Sequence, residues 1–380
     1  MSNIKPALVI GGGVAGAALA AEHARSGRPV VLLERTPGPH DKVCGEFLSG
    51  EAVRYLEDLN IDPKALGAVS VEAVRVCSNN RVATARLPFP ALSLSRRVLD
   101  EAVLQTASAF GVDIRRGTRV RTLSRKGGAW SAQSEDGGTV SAESVFLATG
   151  KHDLRDWRRP EGSQSDLVAF KLHWRLEPSE AATLDRNVEL ILFPGGYAGL
   201  EPVDGGIANL CLVVRRKDFE VVGQTWSKLL RALRSTSSHL DRRLAGARPC
   251  WERPLAIASI PYGYVRTHTD GLWYLGDQAA VIPSFSGDGM AIALHSARLA
   301  ASYYVGGKEA AAYQWQLARD IRRQVRQATL LSRMAVHPTS QSLAAAAARV
   351  PGIMPAIARA TRVSNSALRR AGLTCENRNA

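Results

Sequence analysis

The first apolar cluster is a short unbroken run, Ala7-Leu8-Val9-Ile10, which reads as a buried strand. Val14 to Ala24 then has helical composition. A second run, Pro29-Val30-Val31-Leu32-Leu33, closes on Glu34. Ser144-Val145-Phe146-Leu147-Ala148-Thr149-Gly150 reads as another buried strand, ending at a glycine. Between these, alternating positions predict a strand pair at Val71–Val76 and Val82–Leu87. Four more, Leu167–Leu176, Val188–Phe193, Tyr197–Val203 and Ile207–Val214, read as a meander with Gly, Pro and Asp turns. Amphipathic spacing predicts helices from Ser93 to about Ala109 and from Thr225 to Leu233, the latter crossing the sheet. Near the end, Leu317, Ile321, Val325 and Leu330 or Leu331 interleave with Arg319, Arg322, Arg323 and Arg326 in a helix from Tyr313 to Met334. Shorter helices are expected at Ser342–Val350 and Ala356–Ala371, separated by Pro351 and Pro355.

Composition makes this a globular chain. Its 380 residues allow roughly two or three units at ~100–200 residues each, and 45% hydrophobic with 22% charged residues excludes a disordered chain. The charge is 49 − 35 = +14, which raises nucleic acid or an anionic membrane surface as partners. Residues 311–380 carry eleven Arg against Asp320 and Glu376, or +9, leaving +5 for the rest. Cys44, Cys77, Cys211, Cys250 and Cys375 are too widely spaced for paired motifs, which fits a reducing, cytoplasmic setting without a disulfide framework or structural zinc. No run suits a membrane span. The apolar stretch Ala7–Ala21 is too rich in glycine to read as a leader.

Gly11-Gly12-Gly13-Val14-Ala15-Gly16 follows the first strand directly. Gly11, Gly13 and Gly16 fall on G-x-G-x-x-G: the first for the tight turn, the second for pyrophosphate approach, the third for helix–strand packing. The helix start, with Val14 and Ala15, then points free N–H groups at phosphate. Glu34, eighteen residues past Gly16, stands where an acid accepts from ribose hydroxyls. The order strand, glycine turn, helix, strand, acid points to a bound dinucleotide.

Two later segments narrow the group. One is Ser93-Leu94-Ser95-Arg96-Arg97-Val98-Leu99-Asp100. The other runs from Leu272-Trp273-Tyr274-Leu275-Gly276-Asp277 through Pro283 to Gly287-Asp288-Gly289-Met290. With Cys44-Gly45-Glu46, they resemble the FAD-dependent oxidoreductases of the aromatic hydroxylase, geranylgeranyl reductase and flavin halogenase superfamily, over roughly residues 5–305. The resemblance implies that Asp277 accepts from the flavin ribityl chain and that Arg96 contacts the pyrophosphate. It places Cys44 and Gly45 beside the isoalloxazine. It implies that Gly287, Asp288, Gly289 and Met290 bring backbone N–H groups to the flavin carbonyl edge, with Arg35, Val120 and Gly150 completing the cofactor contacts.

The fold expected is α/β: a Rossmann-type FAD-binding domain (residues 1–70, 95–165 and 260–305) interleaved with a mixed β-sheet substrate domain (71–94 and 166–259). A basic helical C-terminal segment, 306–380, follows. The sheet would roof the flavin and supply a substrate pocket.

Reduced flavin can pass hydride to an alkene or react with oxygen. Halogenation is disfavoured, because no two tryptophans stand two residues apart as W-x-W-x-I-P requires; the nearest match, Glu189-Leu190-Ile191-Leu192-Phe193-Pro194, has none. Cys44-Gly45 resembles the Cys-Gly pair of geranylgeranyl reductases, but Glu189 and Ile191 replace the Tyr and Trp of their sheet motif. Hydroxylation of an apolar aromatic or polyketide-like molecule is the first expectation, since it needs little beyond a dry pocket. Saturation of an isoprenoid chain is the alternative. NAD(P)H is the expected donor, with Lys151 and Arg155 in the loop after Gly150 as candidate phosphate contacts. No catalytic acid or base is assigned; Glu46 is placed to face the flavin, and His295 reads as a packed helix residue. No metal ligand set is expected.

The basic tail is expected to form a helical layer over the FAD domain. Its arginines further suggest docking to a membrane surface or an acidic carrier protein. Nucleic acid is not expected, because aromatics are not interleaved with the arginines.

Overall fold

The computed structural model describes residues 5–78 and 81–373; Cys375 and Glu376 lie outside the described residues. Along the chain come β1 (Lys5–Ile10), α1 (Val14–Arg25), β2 (Val31–Glu34), β3 (Phe47–Leu48), α2 (Gly50–Asp58), β4 (Val69–Ser78), β5 (Arg81–Ser93) and α3 (Arg96–Ala109). Then follow β6 (Asp113–Arg116), β7 (Val120–Lys126), β8 (Ala129–Ser134), β9 (Thr139–Leu147), β10 (Leu167–Arg175), α4 (Pro178–Leu184), β11 (Asn187–Phe193), β12 (Gly196–Val203) and β13 (Ile207–Arg215). The remainder holds α5 (Arg216–Val221), α6 (Trp226–Thr236), α7 (Ser238–Arg243), β14 (Arg248–Pro249), β15 (Leu255–Ala258), β16 (Trp273–Tyr274) and α8 (Gly289–Val305). The tail forms α9 (Ala310–Val336), α10 (Pro338–Ala347), α11 (Ile353–Ala360) and α12 (Asn365–Arg370).

Two sheets organise these elements. The first has the order β6-β2-β1-β9-β8-β7, with β16 also on β9. Its β6, β2, β1, β9 and β16 are parallel, and β7 and β8 add an antiparallel edge. The parallel strands are continuously apolar because helices cover both faces: Leu8, Leu32 and Phe146 are wholly buried. Alanine-rich α1 packs against α8 and α3.

The second sheet has the order β14-β10-β13-β12-β11-β4-β5-β3, with β15 on β10. The expected meander holds only for β11-β12-β13; β10 pairs with β13, and β11 pairs parallel with β4. Period-two alternation gives this sheet two faces. Phe170, Leu172, Leu210, Leu212 and Leu200 pack toward α6 and α7, with Leu229 and Leu233. Leu167, Ala169, Tyr197 and Val213 lie on the opposite face. Phe47 and Leu48 pair with β5, so this short strand joins the second sheet despite its position inside residues 1–70.

The tail covers both units: α9 packs on α8, β12 and β16, and α10 packs on α9 and β4. Pro355 does not precede its helix. It sits in the first turn of α11, where a missing N–H costs nothing.

Candidate functional site

A cavity of about 720 Å³ lies between the sheets. Gly11, Gly13, Val14, Ala15, Glu34, Arg35, Cys44, Gly45, Arg96, Val120, Gly150, Asp277, Gly287, Gly289 and Met290 all line it. Gly16 and Asp288 do not.

Gly16 serves packing. A Cβ there would collide with the Gly11 carbonyl and meet the Ala148 side chain. Gly11 needs its own φ of +107°, open to glycine, and a Cβ would strike the Ala148 carbonyl. The face of Gly13 looks onto two cations: a Cβ there would lie 3.2 Å from Lys42 Nζ and 3.7 Å from an Arg96 nitrogen. Asp100 aligns both. Arg96 binds it bidentately at 2.8 and 3.0 Å, and Lys42 Nζ donates at 2.6 Å. Burial would raise the Asp100 pKa, but Arg96 and Lys42 hold it below the ordinary range. Glu34 accepts from the Gly12 and Thr36 amides at 2.6 and 2.8 Å.

Asp277 is held below its ordinary pKa by Lys151 and Arg159 against the opposing effect of burial. Lys151 Nζ lies 3.0 Å from its carboxylate, and Lys151 itself lines the cavity. Arg155 is exposed. Asp288, expected to contribute its backbone N–H, does not line the cavity. Its side chain turns away from the cavity and accepts from Ser49, Gln324, Arg362 and the Val363 amide. The reason is local: Gly287 takes φ +67°, and Asp288 then precedes α8 with its carboxylate in the tail interface. His295 is buried and packed between Tyr55 and Asp320.

Beyond Cys44 and Gly45, a polar cluster lies on the cavity face of the second sheet. Glu46, with φ +64°, accepts from Lys171 Nζ at 2.5 Å, His173 Nε2 at 2.7 Å and the Arg96 amide at 2.8 Å. Burial alone would raise its pKa; His173 and Lys171 more than offset that. Asp41, Glu46 and His173 bring three metal-type ligand atoms within 4.8 Å of one another. The Lys171 ammonium, also 3.5 Å from Asp41, already supplies the positive charge there. Glu201, on β12, is the opposite case. Burial, then repulsion from Glu46 and Cys44, pushes its pKa well above the carboxylate range and so favours its protonated form. A Cβ on Gly45 would lie 3.7 Å from its Oε1.

One further stretch of the wall is apolar: Ala169, Val213, Leu255, Ile257, Ile260 and Val281, with Tyr262 and Ser284 as hydroxyls. Lys42, Glu201, Lys171 and His173 were not found by sequence reasoning. Their only signal was a charged residue inside an alternating strand, or, for Lys42, a place two residues before Cys44.

The cavity therefore joins a glycine-lined, cation-flanked half suited to a dinucleotide with an apolar half suited to a substrate. These residues fit FAD: Gly11–Gly16, Glu34, Arg96, Lys42 and Asp277 would hold its adenosine, pyrophosphate and ribityl parts. Residues 5–152 match the family described as FAD binding domain. The chain is an FAD-dependent oxidoreductase with the fold of the hydroxylase, reductase and halogenase superfamily. It is 27% identical over 329 residues to the menaquinone reductase of Mycolicibacterium smegmatis, covering 81% of this chain and 78% of that one. It is 26% identical over 316 residues to digeranylgeranylglycerophospholipid reductase 2 of Methanothermobacter thermautotrophicus, covering 77% and 76%. Among solved structures, the flavin-dependent brominase Bmp2 superposes with a TM-score of 0.76 at 18% identity, covering 94% of this chain and 93% of that one. The structure of pqsL, a probable FAD-dependent monooxygenase from Pseudomonas aeruginosa, gives 0.72 at 18%, covering 90% and 99%. No helix among the described residues is long and apolar enough to cross a membrane.

Proposed function

We propose that this protein reduces a carbon–carbon double bond in an apolar, isoprenoid-type substrate, with NAD(P)H as the electron source. Bound FAD, once reduced by the donor, would supply hydride. Saturating the bond also takes a proton, and the observation that carries the reading is Glu201: an acid buried on the cavity face of the second sheet, its Oε1 3.7 Å from where a Cβ on Gly45 would lie, with its pKa pushed well above the carboxylate range by burial and by Glu46. Such an acid can give up a proton at neutral pH where an ordinary carboxyl cannot. Lys171 and His173 fix Glu46 as a charged neighbour, which adds to burial in raising the Glu201 pKa. The apolar wall excludes water from the reacting bond. The menaquinone reductase and digeranylgeranylglycerophospholipid reductase relatives, each matched over more than three quarters of the chain, are reductases by name, and Cys44-Gly45 resembles the pair in geranylgeranyl reductases. His152 at the cavity wall and exposed Arg155 are candidate contacts for nicotinamide phosphates, in a cytoplasmic setting.

A second reading is hydroxylation of an apolar phenol or polyketide. Tyr262 and Ser284 favour it, as hydroxyls in an otherwise apolar wall able to orient a substrate oxygen.

The test is an anaerobic single turnover of chemically reduced protein with a geranylgeranyl lipid that carries no quinone, read by mass spectrometry. Product heavier by two hydrogens, lost in Glu201→Gln, is expected. No product without oxygen, and labelled oxygen in the product when it is admitted, would replace reduction by hydroxylation. Equal NAD(P)H affinity in wild type and Arg155→Ala would remove Arg155 from the donor site.

A further inference from the structure

The long tail helix α9 has a second face that neither the cavity nor the core uses. Its 27 residues span about 40 Å at 1.5 Å per residue. Tyr313, Leu317, Ile321, Val325 and Ala328 are buried. At 100° per residue, Trp315, Arg319, Arg322, Arg323, Arg326, Leu330, Arg333 and Met334 fall within one arc of about 120°. All eight are exposed. Trp315 is 57% and Leu330 60% accessible, and with Met334 they share one stripe with the arginines instead of being scattered over the surface. The stripe is also purely basic. The acid of α9, Asp320, is buried beneath it, where His295, Gln316 and Arg370 engage it. Arg319 stacks over the Trp315 ring at 5.3 Å. In α10, Leu343 is exposed as well.

We propose that this face of α9 docks on an anionic phospholipid surface. Five arginines would answer the lipid charge. Trp315 toward one end, with Leu330 and Met334 toward the other, would enter the headgroup boundary, as in interfacial amphipathic helices. The charge pattern argues against a second copy of this chain, because apposed stripes would bring arginine against arginine. It also separates this face from a plain solvated helix surface, which has no need of an exposed tryptophan and leucine among its charges.

The experiment is co-sedimentation of the flavin-loaded protein with vesicles of phosphatidylcholine alone or containing phosphatidylglycerol, across salt concentrations. The variants are Trp315→Ser/Leu330→Ser and Arg322→Glu/Arg326→Glu. All four positions are exposed, so the fold, checked by circular dichroism and flavin content, should hold. Binding to the anionic vesicles only, weakened by salt and by about tenfold or more in each variant, is expected. Absence of binding, or binding that neither variant changes, overturns the proposal. So does concentration-dependent dimerisation abolished by Trp315→Ser/Leu330→Ser, or capture of an acyl carrier protein without vesicle binding. The assay involves no turnover, so its failure leaves the reductase reading standing.

Discussion

Replacing Arg362 by alanine tests how the tail holds the glycine loop of the cavity. Asp288 is wholly buried between Gly287 and Gly289. Arg362 reaches it at 3.1 Å, donates to the Ser286 and Ala358 carbonyls, and lies over the Phe89 ring. At an effective dielectric of ~20, two charges at this distance attract by about 5 kcal/mol, an upper bound. The Ser286 carbonyl, left without this donor, adds about 1–3 kcal/mol. Deleting one partner of a buried pair typically costs about 3–5 kcal/mol, so a loss of about 3 kcal/mol or more is expected at pH 7. Protonation of Asp288 limits it, and that gives the prediction a pH signature. Burial raises the Asp288 pKa to about 7, with Arg362 opposing, against ~3.9 in an unfolded chain. The folded state thus binds the proton more tightly, and stability from this group falls as pH rises from about 4 to about 7. Without Arg362 the folded pKa moves higher still, and the fall continues above pH 7. The penalty should therefore grow between pH 7 and pH 9. Urea unfolding of wild type and variant at each pH measures it, and flavin titration shows whether the loop still accepts the cofactor. A loss under about 1 kcal/mol, or a penalty that shrinks with rising pH, refutes the reasoning.

Gly16→Ala would place a methyl against the Gly11 carbonyl, a backbone atom with nowhere to move; we expect at least the ~1–3 kcal/mol of overpacking and loss of bound flavin, and a full flavin complement would contradict it. Lys42→Ala removes one of two cations facing Gly13 and should weaken FAD binding about tenfold, about 1.4 kcal/mol, in a fluorescence titration; unchanged affinity would take Lys42 out of the pyrophosphate site. Glu201→Gln keeps the neutral shape but cannot ionise. Because the folded pKa of Glu201 is raised, wild-type stability falls as pH climbs from ~4.3 toward that value, so the variant should gain on wild type between pH 5 and pH 8 in urea melts. A gap that stays constant would mean Glu201 is ionised in the folded state.

The glycine turn was legible in the chain because its logic is local. A tight turn, a close backbone approach and a helix start lie within six consecutive residues, and each needs glycine for a reason that spacing expresses. The parallel strands were legible for a similar reason: burial on both faces leaves an unbroken apolar run such as Ala7–Ile10. Ordered motifs far apart, Arg96 and Gly276-Asp277, could be aligned with a known superfamily, and both line the cavity. What the chain could not express was which charges meet. Lys171 and His173 look like interruptions in a strand until the sheet brings them to Glu46, 125 and 127 residues away. Glu201 is an ordinary glutamate in the sequence; only burial beside Glu46 raises its pKa. Asp288 sits inside a cofactor motif, yet its carboxylate is claimed by Arg362, 74 residues later. Local backbone preference and periodicity are properties of neighbours in sequence. Protonation, ion pairing and the facing of a side chain depend on neighbours in space, and those were decided only when the sheets and the tail closed around them.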